Sequence, residues 1–191
     1  MQTRFAGFAD PVLDAQAGFR AVLEAMSRPG RVQQMVAPPE VPPGLSPAAA
    51  SVLLTLADAA TPLRLAAGAE AEAWARFHCG CPLVADGAAF VLDPAASLLA
   101  LDAGTEEEPE RGATLILEVA SLQEGPRDER CWRLTGPGIK DAQRLQVGGA
   151  PAGFVADWAR NRARFPRGVD VILCAGTRIA ALPRSVSIED A

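Results

Sequence analysis

The sequence predicts an α/β fold in which a mixed β-sheet is flanked by helices, formed as one domain over residues 1–191. Three observations point there. Segments of helical periodicity alternate with short β-branched runs in the first half of the chain. Hairpin signals dominate the last third. The chain has 191 residues, 49% hydrophobic and 21% charged, an ordinary globular composition with enough length for one sizeable core.

The elements follow in order. Asp10-Pro11 opens a helix, with Asp10 as N-cap and Pro11 at the first helical position. Val12, Ala15, Phe19, Val22, Leu23 and Met26 recur at helical spacing and predict its inward face. Arg28-Pro29-Gly30 stops the helix, and residues 31–36 read as a short strand. The five prolines of residues 37–47 predict an extended loop. Ser46-Pro47 repeats the cap-plus-proline signal, and residues 47–57 are apolar nearly all round, so this second helix is expected to be buried. A strand at 62–66, a helix at 69–77 and a strand at 88–92 come next. Asp93-Pro94 is read as the cap of a short helix reaching about Leu101. The acidic run 106–110 reads as a solvated loop. Residues 114–122 form the clearest strand; residues 125–128 turn it, and 131–134 return as its antiparallel partner. Thr135-Gly136-Pro137-Gly138-Ile139 is a glycine-rich loop. A basic amphipathic helix at 152–164 buries Phe154, Val155 and Trp158. Residues 169–174 and 179–182 pair as a hairpin, and the tail beyond Arg184 adds an edge strand.

Composition excludes several functions. The net charge of −5 argues against a nucleic-acid binder. The stretch 47–57 is too short to span a bilayer, and no secretory leader pattern stands at the N-terminus, so a cytoplasmic location is expected. Lys140 is the only lysine, against 17 arginines. It is not set in GxxxxGK[ST], which excludes a P-loop, and it is the only residue that could carry a Schiff base to pyridoxal phosphate. His78 is the only histidine, so a catalytic triad would have to use it. Cys79-Gly80-Cys81 is CxC, and Cys131 and Cys174 stand apart, so free thiols and no metal site are expected.

Some chemistry stays open on residue type alone. Gly136 and Gly138 offer backbone N–H groups to an anion, or simply make a tight turn. Arg160, Arg162, Arg164 and Arg167 cluster in sequence and could clamp phosphoryl oxygens, or line a solvated face. Asp58 and Asp170 follow or open apolar elements, where a carboxylate can transfer protons or cap a turn.

A series of blocks goes further. Phe19-Arg20-Ala21-Val22-Leu23-Glu24-Ala25-Met26-Ser27-Arg28-Pro29-Gly30 is followed by Ser51-Val52-Leu53-Leu54-Thr55-Leu56-Ala57-Asp58 with Thr61-Pro62. Arg76-Phe77-His78 with Pro82-Leu83-Val84 comes third. Gly112-Ala113-Thr114-Leu115-Ile116-Leu117, Val119-Ala120-Ser121-Leu122 and Leu134-Thr135-Gly136-Pro137-Gly138-Ile139 follow. Phe165-Pro166-Arg167-Gly168-Val169-Asp170 and Ile179-Ala180-Ala181-Leu182-Pro183-Arg184 close the series. In this order the blocks resemble the PhnH family of the bacterial carbon–phosphorus lyase system, over nearly the whole chain.

The resemblance implies a fold similar to the large domain of pyridoxal-phosphate (PLP) transferases, without PLP or its lysine. It implies a homodimer when isolated, and a place beside PhnG, PhnI and PhnJ in a core complex. It implies a pathway of organic phosphonate catabolism in which ATP and methylphosphonate yield ribose 1-methylphosphonate 5-triphosphate as adenine leaves. Cleavage of the carbon–phosphorus bond then belongs to an iron–sulfur step on PhnJ, which the CxC of this chain cannot supply. No cofactor is expected on this chain, and the isolated subunit is expected to be inactive. Matching blocks nominate Arg20, Thr135, Gly136, Gly138 and Arg184 for contact with ATP or an alkyl phosphonate. They nominate Asp58, His78 and Asp170 for catalysis. The structural alternative is that Arg20 and Arg184 tie the first helix to the last strand. The functional alternative is a non-catalytic subunit that docks on the complex and stabilises or regulates it.

Overall fold

The structure, a computed structural model, describes residues 4–125 and 131–190. It is an α/β fold built on a mixed sheet. The expected turn at 125–128 lies, beyond Gly125, outside the described residues.

The first helix, α1 (Pro11–Ser27), starts as its sequence dictates. Asp10 accepts hydrogen bonds from the Val12 and Leu13 N–H groups at 3.1 and 3.0 Å, satisfying two donors that no helical carbonyl can reach. Its inward face differs from the expected one. Gly18, Val22 and Ala25 are buried, whereas Val12, Phe19 and Leu23 are 76%, 53% and 55% exposed. The cause is close helix packing. A Cβ on Gly18 would stand 2.4 Å from Thr55 Oγ1, so only glycine lets α1 lie against the second helix, α2 (Pro47–Leu56). Small residues set that seam, and the large apolar side chains are turned out of it.

Helix α2 is capped by Ser46, which accepts from Ala49 N–H at 3.2 Å, and is buried from Ala48 through Leu53. Helix α3 (Ala69–His78) buries Ala71, Trp74 and Ala75. Trp74 Nε1 donates to the Ala6 carbonyl at 3.0 Å, fastening the N-terminal segment onto α3. A fourth helix, α4, runs Phe154–Arg162, slightly shorter than its expected span. The helix expected after Asp93-Pro94 is only a 3-10 turn at Leu98–Ala100.

Six strands form the main sheet, namely β1 (Gln33–Gln34), β2 (Leu63–Leu65), β3 (Phe90–Leu92), β4 (Thr114–Glu118), β8 (Asp170–Ala175) and β9 (Arg178–Leu182). Their order is β1-β9-β8-β4-β3-β2; β8, β4, β3 and β2 are parallel, β9 is antiparallel to β8, and the edge strand β1 is antiparallel to β9. The expected hairpin is β8–β9 across Gly176, with Ile172 opposite Ala181. Four further strands, β5 (Ser121–Glu124), β6 (Trp132–Thr135), β7 (Gln143–Gly148) and β10 (Ser187–Asp190), form a separate antiparallel sheet ordered β10-β6-β7-β5.

That second sheet corrects two expectations. The single strand expected at 114–122 is two strands in two sheets. The chain crosses over at Val119 and Ala120, whose N–H groups donate to Cys174 in one sheet and Gly148 in the other at 2.9 and 2.7 Å. Residues 131–134 accordingly pair with β7 and the C-terminal β10, not with β4.

Alternation along the central strands explains the layering. Ile116, Ile172 and Cys174 face α1, α2 and α3 in one core. Leu115, Leu117, Val171 and Leu173 face the small sheet and α4 in a second core with Trp132, Leu134, Leu145 and Trp158. The main sheet therefore has helices over one face, and a second sheet plus one helix over the other. Buried Asn161 joins α4 to β8, donating to Val169 O at 2.8 Å and accepting from its N–H at 2.9 Å.

Candidate functional site

The residues nominated from sequence fall in separate places. Asp170 opens β8 and Arg184 follows β9, and these two meet. The Asp170 carboxylate accepts from Arg184 N–H at 2.7 Å, from Nε at 3.1 Å and from Nη2 at 2.6 Å. The remaining arm of the fork, Nη1, donates to the Pro109 carbonyl. Both side chains are largely covered, 17% and 13% exposed. Arg184 thus ties the end of β9 to the start of β8 and to the loop before Gly112, not to α1.

Asp58 ends α2 and is exposed. Its Oδ1 accepts from Ala60 N–H at 2.8 Å and lies 3.2 Å from Thr61 Oγ1, a local turn of the kind aspartate makes. His78 lies at the end of α3, half-buried. Its Nε2 is 3.0 Å from the Phe5 carbonyl, and its ring packs against Trp74 and Phe77 with centroids 5.4 and 4.9 Å apart. Arg20 is exposed on the outer side of α1. Among the described residues no hydrogen bond or ion pair joins Arg20, Asp58 or His78 to the Asp170–Arg184 pair. The clustered arginines also diverge. Arg160 pairs with Asp157 at 3.1 Å, and Arg164 donates to Leu99 O at 3.1 Å.

The Thr135–Gly138 loop has a clearer setting. Gly136 to Ile139 is a type II turn, closed by Ile139 N–H to Gly136 O at 3.1 Å, with Pro137 second and Gly138 third at φ +80°. A Cβ on Gly138 would fall 2.2 Å from Ser27 O and 3.0 Å from Pro29 Cδ. The turn therefore packs directly on a second turn of the same build, Arg28-Pro29-Gly30-Arg31, closed by Arg31 N–H to Arg28 O at 3.1 Å with Gly30 at φ +83°. Between them opens a cavity of ≈ 350 Å³ lined by Arg28, Arg31, Lys140 and Asp141. Asp141 and Gln143 also line an adjoining cavity of ≈ 570 Å³, with Arg133 and Arg144. Sequence reading singled out the glycines but missed these flanking cations. The available signal was the repeated x-Pro-Gly, flanked by Arg28 and Arg31 in the first turn and followed by Lys140 in the second.

The thiols are poorly suited to nucleophilic work. Burial pushes the Cys79 thiol up to about 12, with neighbouring Cys81 adding to it, and burial raises Cys81 and fully buried Cys174 as well. Iodoacetamide is expected to leave Cys79, Cys81 and Cys174 unmodified over an hour in the native protein and to label them within minutes in denaturant, read by mass spectrometry. Native labelling as fast as unfolded labelling would contradict this. Among the described residues no group of three His, Cys, Asp or Glu side chains could hold a metal ion, and no helix is long and apolar enough to cross a membrane.

Fold and site together define a two-sheet α/β protein with a cation-lined cleft and no assembled catalytic triad among the described residues. Comparison with known proteins gives the family. The family described as bacterial phosphonate metabolism protein (PhnH) matches residues 6–189. The α-D-ribose 1-methylphosphonate 5-triphosphate synthase subunit PhnH of Rhizobium meliloti (strain 1021) is 36% identical over 192 residues, covering 95% of this chain and 94% of that protein. HtxG of Stutzerimonas stutzeri, assigned as a C-P lyase subunit, is 37% identical over 175 residues, covering 91% and 85%. The chain belongs to the PhnH family.

Proposed function

We propose that this chain is a subunit of the carbon–phosphorus lyase core complex in organic phosphonate catabolism. It supports formation of ribose 1-methylphosphonate 5-triphosphate from ATP and methylphosphonate with release of adenine. The observation that carries this reading is end-to-end relatedness to the R. meliloti synthase subunit, over 95% of one chain and 94% of the other. Its partners are further subunits of the PhnG, PhnI and PhnJ kind, and a second copy of itself when isolated. We place it in the cytoplasm, as a single domain of the PLP-transferase type that works without PLP. Lys140 supports the last point, since it is exposed on the rim of a turn and lacks the apolar enclosure that Schiff-base chemistry favours.

The subunit's contribution is binding and support, not a catalytic constellation of its own. Asp170 and Arg184 are engaged with each other, and Asp58 and His78 are engaged in a turn and a packing contact. An assembly role is favoured by a specific feature, the exposed apolar residues Val12, Phe19 and Leu23 of α1, for which a second copy of the chain is the proposed occupant.

Reconstitution of the synthase step from purified partners, with and without this chain, tests the reading. Adenine release and the triphosphate product, followed by phosphorus NMR, are expected only when the chain is present. Equal product formation without it would overturn the synthase role and leave a docking or regulatory subunit.

A further inference from the structure

We infer that the cleft between the two proline–glycine turns, continued along β6 and β7, binds an extended polyphosphate anion. Its cations are Arg28, Arg31, Arg133, Lys140 and Arg144. The inference rests on the subunit reading above for the chemical class, since the R. meliloti relative is named for a 5-triphosphate product.

Charge is the first ground. The chain is net −5, yet among the described residues the two adjoining cavities are lined by five cations and one carboxylate, Asp141. The second ground is an arrangement that folding alone disfavours. Arg133 and Arg144 are direct cross-strand partners on β6 and β7, and like charges so placed repel. Among the described residues, the side-chain acceptor that Arg144 meets is the Cys131 thiol at 3.3 Å, a weak one. An anion lying across both strands would offset that repulsion.

The existing ion pairs do not close the site. Arg28–Glu24, Arg31–Glu124 and Arg133–Glu189 are all at least 38% exposed on both sides. Pairs of that kind are worth about 0–1 kcal/mol and exchange readily for a multivalent anion. Lys140 is exposed on the wall of the first cavity, next in sequence to the shared wall formed by Asp141, Ala142 and Gln143. The spread of charge over two cavities selects for a chain of phosphates. A single phosphate reaches one cavity, whereas a triphosphate can engage arginine forks in both.

The test is equilibrium binding to the full chain at low salt, with inorganic tripolyphosphate as probe. Tripolyphosphate and ATP are expected to bind with similar affinity, orthophosphate at least tenfold more weakly, and adenosine not at all. Lys140→Glu and Arg144→Glu should each weaken tripolyphosphate at least tenfold. Arg162→Glu, an equal charge change on the exposed side of α4, should leave it within twofold. Absence of tripolyphosphate binding would overturn the inference, as would equal loss in all three variants or competition by adenosine. Reconstitution separates the two readings. Product formation that needs the chain, combined with no anion binding, removes the cleft and leaves the subunit role standing.

Discussion

Arg184→Met is expected to destabilise the protein by about 3 kcal/mol, the cost of leaving a largely covered carboxylate without its partner. Asp170 accepts four hydrogen bonds from Arg184, one from the backbone and three from the guanidinium, and the variant keeps only the first. The Pro109 carbonyl loses a donor as well, freeing the loop that leads into β4. Asp170→Asn should cost less, since an amide still accepts from the arginine. The double variant Asp170→Asn, Arg184→Met should recover part of the loss, because no charge is then stranded. Chemical denaturation checks all three. Arg184→Lys separates the structural role from the substrate contact expected from sequence. A lysine keeps the charge but cannot serve Asp170 bidentately and Pro109 together, so it should lose roughly half the stability. If Arg184→Lys stays as stable as the parent yet abolishes product formation in the reconstituted synthase, the arginine acts on substrate, not on the fold.

That pair also shows how far the sequence was legible. Asp170 and Arg184 stand at the ends of two strands whose hairpin was readable from composition and spacing, so their meeting follows from the topology. What was not readable is that the arginine fork would be used up internally. That depends on the Pro109 carbonyl, brought in by a loop 75 residues away. The helices were legible because their caps are local: Asp10-Pro11 and Ser46-Pro47 start α1 and α2 as expected. The second sheet was not, because a run such as Thr114 to Leu122 carries no local mark for a change of sheet. The crossover at Ala120 is set by Gly148, contributed by a strand 28 residues later. The cation-lined cleft was half legible. Each x-Pro-Gly turn can be read on its own, but their stacking comes from the chain leaving α1 toward the small sheet, where a Cβ on Gly30 would fall 2.7 Å from Gln143 Cγ and 3.2 Å from Leu134 Cδ2.

Phe19→Glu combined with Leu23→Glu is expected to leave the fold intact and to abolish the self-association proposed above for the isolated chain. Periodicity marked Val12, Phe19 and Leu23 as core, and the structure turns them outward because the seam with α2 is built from Gly18, Val22 and Ala25. The outward residues recur at i, i+7 and i+11, a stripe roughly 16 Å long on one side of α1. Large apolar side chains aligned in this way on an exposed face mark an interface. The occupant proposed is a second copy of the chain. The stripe is apolar at both ends, so an antiparallel two-fold arrangement sets Val12 of one copy against Leu23 of the other. Burial of each Phe or Leu contributes about 1.5–3 kcal/mol, and the two-fold doubles every contact. Carboxylates at both positions should therefore weaken the dimer by at least about 100-fold, read by analytical ultracentrifugation. Thermal stability should change little, because neither side chain touches the core of its own chain. A fall in melting temperature of about 10 °C that is the same at every protein concentration would show that the stripe packs within the molecule and sink the interface. A variant that still dimerises but no longer joins the complex would move the stripe to a partner subunit. A variant that still dimerises and still joins the complex would leave these residues without a role in assembly.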